Sequence, residues 1–126
     1  MKARDIDYVV YGVSSLDKAM PFYRDILGLK PLGDPYDGKW QEFELGTSTL
    51  GISMPPYGQP PKGDATGGAT AAIAVENLKE AVEELKAKGV PITWGPDESP
   101  VCFLAGIKDP DGNNIILHQR KDGTAG

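Results

Sequence analysis

The chain carries its own pattern twice, and this constrains its fold more than any other feature. With an offset of 62 residues, Val13 falls on Val75, Leu16 on Leu78 and Ala19 on Ala81, and that offset is close to half of the 126 residues. The elements around these matches come in the same order. Residues 6–13 are short, β-branched and aromatic, which predicts a strand. Ser14 and Ser15 offer an N-cap, after which Leu16, Ala19, Met20, Tyr23, Ile26 and Leu27 recur at helical spacing as far as Gly28. Pro21 lies inside this helix and removes a backbone bond, so a kink or a late start is expected. Strands are predicted over 29–32, 40–45 and 49–54, the last two joined by a tight hairpin at Gly46, Thr47 and Ser48. The second copy repeats the series. A strand over 69–75 leads to Asn77 as an N-cap with Glu80 as its capping-box partner. A helix carrying Leu78, Ala81, Val82 and Leu85 ends at Gly89, and strands follow over 90–94, 101–107 and 114–119. The expected fold class is α+β, a single domain over 1–126 built from two βαβββ modules at 4–54 and 69–120. Residues 55–68 are rich in proline and glycine and read as a linker or a lid rather than a packed element.

Composition removes several function classes. The net charge of -5 argues against nucleic acid and anionic membranes as partners. No apolar run approaches the ~18 residues of a membrane span, and the charged first residues do not open a secretory signal. Cys102 is the one cysteine and His118 the one histidine, so a disulfide framework, a cysteine-based zinc site and any centre needing two imidazoles are ruled out. A cytoplasmic protein is the default expectation.

A family resemblance rests on three pieces of sequence. These are Ile6-Asp7-Tyr8, the run Phe22-Tyr23-Arg24-Asp25-Ile26-Leu27-Gly28-Leu29, and Asp109-Pro110-Asp111-Gly112-Asn113 continuing to Leu117. Together they resemble the vicinal oxygen chelate superfamily, the glyoxalase/bleomycin-resistance/dioxygenase fold, over almost the whole chain. The resemblance implies mixed sheets that curl around a central cavity, and a homodimer. It also implies four metal-ligand positions, two in each module, which fall here on Tyr8, Gly51, Thr70 and Ile116. Gly51 and Ile116 offer no donor, Thr70 is an implausible one, and a tyrosine phenol with its pKa near 10 is a poor one. The expectation is therefore no metal and no cofactor.

Strand alternation selects the residues facing the expected cavity. Phe43, Leu45, Leu50 and Ile52 form one row of the hairpin, while Trp40, Glu42, Glu44, Thr49, Gly51 and Ser53 form the other. A two-residue turn sets Glu42 or Glu44 opposite Gly51. Tyr8, Val10 and Gly12 join from the first strand, Thr70, Ala72 and Ala74 from the fifth, and Asn114, Ile116 and His118 from the last. Small residues leave space and Tyr8 and Trp40 offer aromatic walls, which suits a small organic ligand that is aromatic or cationic. The first reading is a metal-independent binding or sequestration protein, like the bleomycin-resistance branch. The alternative is a metal-free lyase or isomerase in which Glu42 or Glu44 abstracts a proton, Tyr8 polarises an oxygen and His118 returns the proton. A third is a metal-dependent lyase or dioxygenase with ligands relocated to Glu42, Glu44 and His118. Elsewhere the structural readings dominate. Asp109 and Asp111 belong to a turn, Trp94 to packing, Cys102 is an incidental thiol, and Gly67-Gly68 is no phosphate loop because no helix start follows it.

Overall fold

A computed structural model describes every residue except 3, 5, 6, 63–69 and 126. Gly67, Gly68 and the beginnings of the strands predicted over 6–13 and 69–75 lie outside the described residues. Backbone contacts divide the chain into two compact units, Met1–Lys62 and Gly63–Gly126. Unit 1 contains β1 (Tyr8–Gly12), α1 (Leu16–Met20) continuing as a π-helical segment (Pro21–Ile26), β2 (Lys30–Pro31), β3 (Trp40–Leu45) and β4 (Ser48–Ser53). Unit 2 contains β5 (Ala71–Ala74), α2 (Leu78–Ala87), β6 (Trp94–Glu98), β7 (Cys102–Lys108) and β8 (Asn114–Arg120). Each unit builds one mixed four-stranded sheet, ordered β1-β4-β3-β2 and β5-β8-β7-β6. In both, the first strand runs parallel to the last and the other pairings are antiparallel. The repeat in sequence is a repeat of topology, and the fold is α+β with two βαβββ modules, as expected.

The two helices begin alike. Ser15 Oγ accepts from the Lys18 amide and Asn77 Oδ1 from the Glu80 amide, and Gly28 and Gly89 stop the helices at φ +72° and +78°. Between cap and glycine the first helix has one residue more than the second. Pro21 explains how that residue is held. It has no N–H for the Asp17 carbonyl, so the ladder widens, and the Leu27 amide donates to the Phe22 carbonyl five residues back at 2.9 Å. Phe22 and Tyr23, three and four residues after Ala19, are both buried. Phe22 and Tyr23 meet edge-on at 5.2 Å, and Tyr23 stacks on Phe43 of β3 at 5.9 Å.

Each core lies between a sheet and its own helix. In unit 1 it holds Tyr11, Leu16, Ala19, Phe22, Tyr23, Phe43, Leu50 and Ile52. In unit 2, Leu78, Val82 and Leu85 of α2 pack with Ile73, Ala105, Ile107, Ile115 and Leu117. Each buried leucine, isoleucine, valine or phenylalanine contributes about 1.5–3 kcal/mol.

One segment differs from the sequence expectation, and another lies only partly within the described residues. The strand predicted over 90–94 begins only at Trp94, because Val90 is buried and its amide closes the end of α2 on the Leu85 carbonyl. β6 is an exposed edge whose register shifts between Trp94 and Asp97. There Gly95 takes φ +78° and Pro96 has no N–H to give. Residues 55–62, read as linker or lid, fold back on unit 1. A side chain at Gly12 would overlap the Gln59 backbone, and one at Gly58 would come 2.7 Å from the Ser53 carbonyl.

Candidate functional site

The hairpin sets the geometry of unit 1's open face. β3 and β4 join through Gly46 and Thr47 alone, so Leu45 pairs with Ser48 and Glu42 with Gly51. Phe43, Leu50 and Ile52 then face the helix, and Trp40, Glu42, Glu44, Thr49 and Gly51 face away. β1 adds Tyr8 and Val10 to that face, with Val10 beside Gly51. A Cβ on Gly51 would rest in ordinary contact with the Val10 side chain at 3.4 Å, so the glycine leaves room a side chain would take. The Tyr8 ring meets Trp40 edge-on at 5.8 Å, and the Trp40 indole N–H donates to Glu42 Oε1 at 3.2 Å. The structure thus gathers Tyr8, Val10, Trp40, Glu42 and Gly51.

It also separates the two carboxylates. Glu44 is exposed and its charge meets Lys30 Nζ at 3.4 Å, a solvated surface pair of little energetic weight. Glu42 is half-buried, and among the described residues no lysine or arginine pairs with it.

Trp40 and Glu42 line a cleft of about 390 Å³ together with Tyr36 and Tyr57. Paired backbone bonds place Tyr36. Its amide donates to the Trp40 carbonyl at 2.8 Å and its carbonyl accepts the Trp40 amide in return at 3.1 Å. The turn between them takes positive φ at Asp37 and Gly38, the latter a residue suited to that conformation. Tyr57 follows from a turn on the Met54 carbonyl, which accepts its amide at 3.1 Å. The sequence reading passed over both tyrosines, because they sit in glycine- and proline-rich segments where no period assigns a face.

Unit 2 carries its own open face. Ala72 pairs with Ile116, Ala74 with His118 and Lys108 with Asn114, so Ala72, Asn114, Ile116 and His118 share one side. Thr70 is exposed just before β5. Trp94 belongs to this side as well. Its indole lies over Gly106 so closely that a Cβ there would overlap it, yet the residue is 39% exposed. It packs, as expected, but on the open face rather than in the core.

Other groups are structural. Asp109 is buried, and its Oδ1 accepts the amides of Asp111 and Asn113 at 2.9 and 2.8 Å while Oδ2 accepts the Asn113 side-chain amide at 2.8 Å. Cys102 is buried with its sulfur 3.1 Å from Ser99 Oγ. Among the described residues no three His, Cys, Asp or Glu side chains gather as a metal site. The four ligand positions implied by the resemblance hold a phenol, a bare backbone, an alcohol and a hydrocarbon, which do not fit a divalent ion. Among the described residues no helix is long and apolar enough to cross a membrane.

Residues 5–117 match the model of the Glyoxalase/Bleomycin resistance protein/Dioxygenase superfamily. The chain belongs to this superfamily. It is 31% identical over 122 residues to lactoylglutathione lyase GLX1 of Arabidopsis thaliana, covering 90% of this chain and 43% of the plant protein. It therefore spans less than half the length of that relative. Against the lactoylglutathione lyase of Haemophilus influenzae it is 26% identical, with 90% and 91% covered. Among solved structures, TnmS3, an antibiotic binding protein from Streptomyces sp. CB03234, superimposes with a TM-score of 0.75 at 24% identity over 96% of this chain and 99% of that one. Lactoylglutathione lyase from Agrobacterium tumefaciens gives 0.74 at 20% identity over 94% and 96%. Such structural likeness shows the fold, and one fold hosts both lyases and binders, so function is argued from the site.

Proposed function

We propose that this chain binds or sequesters a small organic molecule without the help of a metal ion. Unit 1 would hold it on Tyr8, Val10, Trp40, Glu42 and Gly51, while Ala72, Asn114, Ile116 and His118 would serve a ligand on unit 2's own face. One observation carries the reading. Where the resemblance places a metal ligand, Gly51 has no side chain and lies buried beside Val10, paired with Glu42 on a face where Tyr8 and Trp40 meet. A donor has been exchanged for space and aromatic walls, which is what an organic guest needs. The fold shared with an antibiotic-binding protein supports this reading. The homodimer implied by the resemblance is part of the proposal, and light scattering on the purified chain tests it.

The lyase-named relatives favour a second reading, in which Glu42 takes a proton from a carbon beside a carbonyl. Tyr8 would then donate a hydrogen bond to the oxygen on which charge develops. Glu44 suits this role less, since Lys30 already meets its charge. A thermal-shift screen of drugs and metabolites separates the two readings. Compounds that raise the melting temperature and are recovered unchanged indicate binding, with about 2.7 kcal/mol of stabilisation at a hundredfold excess over Kd. Compounds that are consumed indicate catalysis, and Glu42→Gln then abolishes turnover while largely sparing affinity.

A further inference from the structure

We infer that the cleft lined by Tyr36, Trp40, Glu42 and Tyr57 recognises a methylated ammonium group, the head of an organic cation. The inference rests on the reading of unit 1's open face as a small-molecule site and names the chemistry that face selects. Three of the four lining side chains are aromatic and the fourth is a carboxylate. Aromatic faces carry negative charge density and attract a cation within about 6 Å of the ring centre. The carboxylate supplies a full opposite charge.

Glu42 is set up for this role and Glu44 is not. The Trp40 indole N–H holds one oxygen of Glu42 in place, and among the described residues no basic side chain neutralises it. An anion entering the cleft would meet that charge as repulsion. A neutral aromatic would cover the half-buried carboxylate without compensating it, at the cost of its hydration. A primary ammonium would carry three N–H donors toward walls that are mostly ring carbon. A methylated ammonium keeps the charge and turns methyl groups toward the rings. The cleft of about 390 Å³ accepts such a head with a short chain. The net charge of -5 favours the approach of cations in general.

The test uses the full chain labelled with nitrogen-15, whose two tryptophans give two indole signals. It is titrated with choline and, separately, with dimethylbutanol, the neutral carbon isostere of choline. Choline should move the Trp40 signal saturably and leave that of Trp94 in place. The isostere should bind about fivefold more weakly or worse. Glu42→Gln should weaken choline by a similar factor, to the level of the isostere, while the spectrum keeps its folded dispersion. Equal binding of choline and its isostere would overturn the inference. So would the absence of a saturable choline shift in a protein that still binds a neutral compound from the thermal screen, an outcome that leaves the binding proposal standing. If neither choline nor any screened compound binds, both fall together.

Discussion

Gly12 and Gly106 both lie beneath a close neighbour, but the neighbours differ in what they can do. Over Gly12 it is the backbone of Gln59, which cannot swing aside without moving the whole segment. Over Gly106 it is the indole of Trp94, the end of a flexible side chain. Gly12→Ala should therefore cost about 1–3 kcal/mol by overpacking, read as a lower urea midpoint. Gly106→Ala should cost less than about 1 kcal/mol while visibly changing the tryptophan emission. A similar contrast holds among the acidic residues. Asp109→Ala removes three hydrogen bonds from a buried turn and should cost about 2–3 kcal/mol. Glu44→Ala breaks only an exposed pair and should fall within about 0.5 kcal/mol. At this scale Tyr8, Trp40 and Glu42 were legible in the sequence, because strands assign faces by counting in twos. Tyr36 and Tyr57 were not, since a turn assigns no face until its backbone bonds are known.

The helices show where an ideal period stops being a guide. Both N-caps could be read from residue type, and their geometry now ranks them. Asn77 Oδ1 accepts the Glu80 amide at 3.0 Å, while Ser15 Oγ accepts the Lys18 amide only at 3.4 Å. Asn77→Ala should cost about 1 kcal/mol and Ser15→Ala clearly less, by the same urea titration. The helical count did not show the wide turn that the missing N–H of Pro21 allows, and it passed over Phe22, which follows Ala19 by three residues. β6 was misplaced for a related reason. Val90 and Ile92 have the look of a strand, yet the Val90 amide is spent on closing α2; the first bond to β7 comes from the Thr93 amide, and the strand begins at Trp94. The β3–β4 hairpin was read correctly in its two faces, with Glu42 or Glu44 left open as the partner of Gly51, and the turn through Gly46 and Thr47 makes that partner Glu42.

For the molecule as a whole, the duplication was the most legible property and the ligand the least. Three matched residues and a common order of elements announce two modules, and both sheets share one strand order. Nothing in that order chooses between binding and catalysis, because one scaffold hosts both. The central proposal is that the face where the resemblance places metal ligands here serves an organic guest. Elemental analysis of protein purified without chelator, paired with thermal melts before and after EDTA, tests it most directly. The account predicts less than about one tenth of a divalent ion per chain and an unchanged melting temperature. About one tightly held ion per chain, whose removal lowers the melting temperature, would contradict it.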